Sequence, residues 1–365
     1  MTDGQIALVT LLAFTFYECM RWLPARAWLF QAISAERWKG GVTWETLRAR
    51  GGGLALISPL PPIRVHLPTA SWPCVPDQHG LLVWNDEKET VSMVPWDRMR
   101  PHHEGSLLSI DPSHQVRCIN GESASEWAAL IKKWKKEPQA AREASFAKKA
   151  DAMLDTQSLK AHVETLFDAT KSLRWYGAMI AICLFILLPF VYWLRGDTLP
   201  SYLVLGLLLL MMFVQSIVLW RLSGRNPSLR KERVQHVLAC TIFPPSSMRA
   251  ADWVCATLAG EYHPLAAHQA WNSVDQFQRQ ARVAYREALW PRRSEGDSTG
   301  EPCNGPHVQA LKRFLAQHQM DLETLEQQPE AQQGCTQYCP RCLTQFMPAA
   351  SRCADCSNLP LQPLV

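Results

Sequence analysis

Two uncharged runs separated by a short turn decide most of what this chain can fold into. Trp175–Leu194 holds 20 residues without a formal charge, and Thr198–Trp220 holds 23. At about 1.5 Å per residue, each makes a helix of roughly 30 Å or more, the thickness of a bilayer's hydrocarbon. A helix in a soluble core is shorter and keeps a polar face. Leu203–Val214, in contrast, is Leu, Val, Met and Phe almost throughout. The two runs therefore predict a transmembrane helical hairpin, with Trp175, Tyr176, Tyr192, Trp193, Tyr202 and Trp220 near its ends, where aromatic rings favour the interface. Pro189 predicts a kink in the first span, because it removes a backbone donor and crowds the preceding turn. Gln215 is the strongly polar side chain of the second span and suits a bond between packed helices.

The turn Arg195–Pro200 carries one Arg and one Asp, whereas Lys171 and Arg174 precede the hairpin and Arg221, Arg225, Arg230, Lys231 and Arg233 follow it. Positive residues stay on the cytosolic side, so both flanks are expected there. Residues 4–23 have an apolar stretch, Ile6–Tyr17, followed by Glu18 and Arg21. This segment is expected either to span with its N-terminus outside or to lie in the interface, and both readings leave the rest of the chain cytosolic. Such an arrangement fits a bacterial inner (plasma) membrane with its soluble domains in the cytosol. A net charge of +4, with the basic residues gathered around the spans, argues against nucleic acid as a partner.

From Gly51-Gly52-Gly53 onward, short apolar runs at Leu54–Ile57, Gly80–Trp84, Val91–Val94, Leu107–Ile110 and Val116–Ile119 read as strands. Asn85-Asp86 and Asp111-Pro112-Ser113 provide turns between them. Ser123 with Glu126 forms a candidate capping box for a helix whose Trp127, Leu130, Ile131 and Trp134 share one face before Pro138. The element order over 50–137 and the Trp96-Asp97 corner resemble the pleckstrin-homology-like domains of some bacterial membrane proteins. That resemblance implies a module binding lipids, peptides or protein partners. Gln139–Leu173 then reads as a helical connector, 139–174, with Leu159, Val163, Leu166 and Leu173 forming a stripe.

Beyond the hairpin, Ser246–Tyr262 and Asp275–Leu289 predict two helices of a small helical domain, 234–291. Arg292–Pro306 has the composition of a linker, and 307–328 that of a short helical pair with Asp321 as a cap. Two polar groupings invite a site reading. Asp97, His102, His103 and Glu104 lie within eight positions, but adjacent histidines point to opposite sides of an extended strand. Glu261, His263 and His268 flank a proline, where a capping role explains His263 equally well. No Gly-rich phosphate loop, Gly-x-Ser-x-Gly elbow or His-Glu-x-x-His sequence occurs, and no catalytic residue is assigned.

Of the 12 cysteines, eight stand singly, including Cys335, and read as small buried hydrophobes or bystanders. The other four make Cys339-Pro340-Arg341-Cys342 and, after ten residues, Cys353-Ala354-Asp355-Cys356. Each pair suits a knuckle aiming two thiolates at one ion, and two knuckles complete a tetrahedral Zn–S4 set. Residues 335–362 resemble a zinc ribbon, which implies a structural zinc ion on Cys339, Cys342, Cys353 and Cys356. A rubredoxin-like iron site uses a similar ligand set. Four protein ligands leave no open position for hydrolytic chemistry. Phe346 and Tyr338 suit the ribbon's small core.

Together these readings predict a multidomain α+β integral membrane protein: a transmembrane helical hairpin, an N-terminal transmembrane or interfacial helix, a small antiparallel β domain with a C-terminal helix, a small helical domain and a C-terminal zinc ribbon. The expected function is that of a membrane-anchored cytosolic scaffold or adaptor, binding the lipid bilayer through its spans and a protein partner through its β domain and ribbon. The alternatives are an enzyme of unrecognised type and a membrane-associated regulator whose ribbon binds nucleic acid.

Overall fold

The structure is a computed structural model that describes residues 3–21, 28–30, 64–66, 72–85, 90–196, 198–271, 273–291, 302–356 and 359–364. The strand expected at Leu54–Ile57, the Asp86 turn, the end of the N-terminal segment at 22–23 and most of the 292–306 linker lie outside the described residues. The chain forms two compact units, Met1–His66 with Lys160–Gly260, and Leu67–Leu159 with Glu261–Val365. Each combines helices with small antiparallel pairings, and helix predominates among the described residues.

The first unit begins with helix α1 (Asp3–Arg21) and the antiparallel pair β1 (Trp28–Phe30) and β2 (Arg64–His66), with Leu29 opposite Val65.

The second unit opens with two three-stranded meanders. In one, β4 (Gly80–Asn85) lies between β3 (Cys74–Pro76) and β5 (Thr90–Pro95), with Leu82 opposite Met93. In the other, β7 (Leu107–Ser109) lies between β6 (His102–Glu104) and β8 (Gln115–Arg117), with Leu108 opposite Val116. The four expected strands that fall on described residues are present within a few positions. β3 was not foreseen, because prolines flank Cys74 and Val75 and argue against a strand. Gly80 is required where it stands, since a Cβ there would lie 2.2 Å from the Val94 carbonyl oxygen.

Helix α2 (Gly121–Trp134) is capped by Asn120, whose side-chain oxygen accepts from the Ser123 amide at 2.9 Å. The expected capping box at Ser123 is thus displaced by three residues. Asn caps as well as Ser does, and the start at Asn120 buries Ser123 on the packed face. Helix α3 (Gln139–Leu154) follows, and Trp72, Trp127, Trp134 and Phe146 form an aromatic centre, with Trp72 and Phe146 edge to face at 5.5 Å.

The expected connector 139–174 is interrupted at Asp155, whose carboxylate accepts from the amides of Gln157 and Ser158 at 2.9 and 3.0 Å and starts a new helix. That helix, α4 (Thr156–Ile182), belongs largely to the first unit. It runs through a π-helical turn at Cys183–Leu187 into α5 (Leu188–Arg195). The wider turn stands just before Pro189, so the ring meets a loosened hydrogen-bond ladder. After the turn at Gly196, α6 (Leu199–Arg225) returns. Asp168–Arg195 and Leu199–Arg225 are long and apolar enough to cross a bilayer.

Along the pair, Ile180, Cys183, Leu184, Leu188, Leu208 and Met212 are buried together, with Leu8 and Leu12 of α1 packed against them. Three short helices follow, α7 (Pro227–Arg230), α8 (Arg233–Ile242) and α9 (Pro244–Met248), and then α10 (Ala250–Leu258). The single helix expected over Ser246–Tyr262 is broken at Arg249 and ends at Leu258. The expected domain 234–291 is shared between the two units, which divide after Gly260.

The rest of the second unit consists of α11 (Pro264–Trp271), α12 (Val274–Leu289), α13 (Pro306–Gln317), α14 (Leu322–Glu326) and a cysteine-bearing end. Asp321 caps α14 as its sequence suggests, accepting from the Glu323 amide at 3.0 Å. One continuous buried cluster joins the strands, Trp127 and Phe146 to Phe277, Tyr285, Leu311 and Phe314, and then to Cys339, Cys353, Cys356 and Leu359. Apolar burial at about 25 cal/mol per Å² thus ties the C-terminal end to the β domain's own core.

Candidate metal centre

The C-terminal end is built from strand pairs only two residues long. β9 (Gln337–Tyr338) lies between β10 (Gln345–Phe346) and β13 (Gln362–Pro363), while β11 (Arg352–Cys353) pairs with β12 (Leu359–Pro360). So little sheet cannot hold its own shape, since an isolated two-stranded pair is marginal in water. The turns carry the cysteines. Cys339 and Cys342 lie between β9 and β10, while Cys353 ends β11 and Cys356 closes the turn that follows it.

In the first turn, the Cys339 amide donates to Thr344 O and the Leu343 amide donates to Cys339 O, both at 2.9 Å. Leu343 is left-handed at φ 63°, a conformation that costs a side-chain-bearing residue about 1–2 kcal/mol. The tight knuckle demands it.

The four sulfurs lie within 4.8 Å of one another, and Cys342 and Cys353 are 3.8 Å apart, sulfur to sulfur. A tetrahedron with metal–sulfur bonds of about 2.3 Å has edges of about 3.8 Å. The donor set therefore fits one tetrahedral ion, and the four cysteines could hold a metal such as zinc. Among the described residues this is the one such group of metal-binding side chains. Cys335 stands outside it.

The sulfurs also show what a cation would relieve. Burial and the neighbouring thiols push the Cys356 thiol up, and burial pushes Cys339 up to about 11. For Cys342, burial works in the same direction, but hydrogen bonding to Thr344, 3.2 Å away, prevails and brings the thiol down to about 7. A divalent ion held by the four sulfurs would favour their thiolate forms and release protons on binding.

One group near the site has no signature in the sequence. Arg286 of α12 is buried and donates to Pro340 O inside the first knuckle at 2.8 Å and to Gln327 O at 2.7 Å. Arg341 pairs with Glu287 of the same helix at 3.0 Å. α12 thus fixes the knuckle from outside and places a guanidinium beside a centre that is negative when its sulfurs are ionised. Such outer partners orient ligands and tune the metal.

No family model, curated protein or solved structure matches the chain.

The other polar groupings are not brought together as sites. Asp97 is exposed in a turn, and His102, His103 and Glu104 are exposed along β6, where His103 faces Leu108 across the pair and His102 faces Ser109. Glu261 is buried in a structural network. Its carboxylate accepts from Trp127 Nε1 at 2.6 Å and pairs with Lys149 at 3.3 Å, and burial raises its pKa against these partners. His263 is fully buried against the Trp72 ring at 4.6 Å, and its Nδ1 accepts from the Leu265 amide at 3.1 Å. It caps the start of α11.

Proposed function

We propose that the protein is a membrane-anchored scaffold or adaptor, held in the bilayer by its helical hairpin and binding a protein partner through its β domain and zinc ribbon. The observation that carries this reading is the surface of the two long helices. Only 33% and 28% of the residues in their most apolar windows are buried. Phe190, Trp193, Leu199, Leu203 and Leu210 are all more than half exposed, a surface that belongs in lipid and that a soluble helix would hide. The basic flanks then set the second unit in the cytosol.

A single zinc ion on Cys339, Cys342, Cys353 and Cys356 would act structurally, since the four sulfurs close its coordination shell. Two meanders followed by a helix are in keeping with the pleckstrin-homology-like order, which supports a binding role for the β domain. Among the described residues of the second unit, the exposed large apolar side chains are Val274, Val283 and Met347, and Met347 lies on the ribbon. An exposed apolar side chain just after β10 suits a partner's pocket.

A detergent-solubilised pull-down with mass spectrometry tests this, comparing the native chain with Met347→Asp, which leaves all four sulfurs in place, and with His103→Glu on the exposed strand β6. The expected result is one protein strongly enriched by the native chain and depleted at least severalfold by a variant that retains its metal. Identical partner sets from all three chains would remove both surfaces from the reading.

A further inference from the structure

We infer that Arg233–Leu258 is a re-entrant helical hairpin that dips into the bilayer from the basic side and returns, its lipid-facing surface made by Val234, Leu238 and Ile242. The inference rests on the membrane reading of the two long helices. It begins with a surface. These three residues recur every fourth position on α8 and are 60%, 55% and 76% exposed. The opposite side of α8 is occupied: Val237 and Cys240 pack with Leu219, Val218 and Leu222 of α6 and with Val254 and Trp253 of α10. An amphipathic helix with its inner side filled therefore turns a second apolar face outward, beside the exposed face of α6.

The contacts of α8 and α9 progress along α6 towards its middle. The Arg233 guanidinium stacks on the Trp220 ring at 3.4 Å and donates to Trp220 O at 2.8 Å. Further on, Thr241 donates to the Ser216 hydroxyl at 2.8 Å, and Gln215 donates to Ser247 O at 2.5 Å. Met248 joins the buried group containing Ile180 and Met212. Its carbonyl comes so close to Gly177 of α4 that a Cβ there would lie 3.0 Å away. Ile180 is five residues past Trp175, and Met212 is eight before Trp220. At 1.5 Å per residue the tip lies roughly 8–12 Å beyond the interfacial rings, about a third of the hydrocarbon thickness.

The chain then leaves by the way it came. The Trp253 ring of α10 stacks on His236 of α8 at 3.9 Å, and α10 packs against α7, outside the second span.

A chain that reverses inside hydrocarbon must satisfy its backbone within the protein. The tip is built for this. Pro244 and Pro245 have no amide hydrogen to satisfy. Ser247 Oγ donates to Cys240 O, Cys240 Sγ donates to Ser246 O at 3.4 Å, and Gln215 takes Ser247 O as above. The Phe243 amide donates to Ala239 O at 2.9 Å, and the Ser247 amide donates to Phe243 O at 3.2 Å. Phe14 of α1 covers Phe243 edge to face at 5.7 Å. Side chains thus hold carbonyls that water would hold on a soluble surface. Arg221, Arg225, Arg230 and Lys231 stand in the chain between the end of the second span and α8, a basic stretch suited to phosphate headgroups.

The test is photocrosslinking of the full-length protein in vesicles of phosphatidylethanolamine and phosphatidylglycerol. A benzophenone amino acid is placed singly at Val234, Leu238 or Ile242, at Leu209 of the second span, and at Lys132 of α2. The expected result is lipid adducts at the three α8 positions in yield comparable with Leu209, and none at Lys132. Fragmentation should place the Ile242 adduct farther down the acyl chain than the Val234 adduct. Adducts at Leu209 with none at Leu238, a Leu238 crosslink to a second copy, or equal depth at 234 and 242 would overturn re-entry and leave the spanning hairpin standing. Loss of adducts at Leu209 as well would remove the membrane reading itself.

Discussion

Replacing Cys339 and Cys342 together with serine is expected to strip the chain of zinc and to loosen far more than the ribbon. A structural zinc site contributes an apparent folding free energy of about 10–16 kcal/mol, comparable with the whole stability of an ordinary domain. Here Cys339, Cys353, Cys356 and Leu359 are part of the same buried cluster as Phe277, Leu311 and the β-domain core. The loss should therefore reach α12 and α13, seen as a lower thermal midpoint and as new proteolytic cleavage within 274–289 and 306–317. Cys335→Ser, outside the cluster, should leave zinc and midpoint unchanged. Arg286→Met spares all four sulfurs but removes the guanidinium donating to Pro340 O, and should weaken zinc binding about 10- to 100-fold. A double-serine chain with one zinc per molecule, or with an unaltered midpoint, would contradict this picture.

Acid should destabilise the second unit well above the range in which carboxylates titrate. Burial lowers His263 to about 3, with the nearby His268 adding to the effect, and lowers His268 and His307 to about 4, from an ordinary 6.5. For His307, the Ala288 carbonyl and Asp77 pull the other way and burial prevails.

All three stay neutral in the folded unit, while the unfolded chain takes up protons below about pH 6.5. Stability is thus full above that pH and falls as pH drops towards 4 and then 3. At pH 5.5, about one unit below the ordinary value, each histidine should remove on the order of 1 kcal/mol, and the three together a few kcal/mol, a large share of a marginal fold. Chemical denaturation at pH 7.5 and 5.5, with zinc retention checked at both, measures the difference. A His268→Leu/His307→Leu chain should lose about two thirds of it. An unchanged difference would show that the acid response comes from other groups.

What the sequence made legible depended on how local each signal was. The four cysteines could be placed because both knuckles are closed by pairs three residues apart, so their spacing is already their geometry. The long apolar helices announced themselves through length and uniform composition. Strands such as β4 and β5 follow from short apolar runs, but β3 is hidden by its prolines.

The start of α2 was misplaced because Asn120 and Ser123 are both good caps, and the choice between them depends on which side of the helix is buried. The break at Arg249 was missed because the Pro-Pro-Ser signal marks a helix start equally well at the tip of a re-entering chain. Arg286 could not have been found at all. It lies 54 positions from the carbonyl it holds, too far along the chain for spacing to link the two. Glu261, His263 and His268 invited a chemical reading from sequence, and packing accounts for them as a buried ion pair and neutral, desolvated rings.

The most direct test of a membrane-anchored adaptor is the sidedness of the hairpin, because only a spanning pair exposes its turn on the far side. Thr198 stands immediately before α6, in that turn, and its side chain makes no capping bond. In intact cells the proposed orientation predicts that a membrane-impermeant maleimide labels a Thr198→Cys chain and leaves the native chain unlabelled until lysis. Labelling of Thr198→Cys only after lysis, or labelling of the native chain in intact cells, would contradict the account.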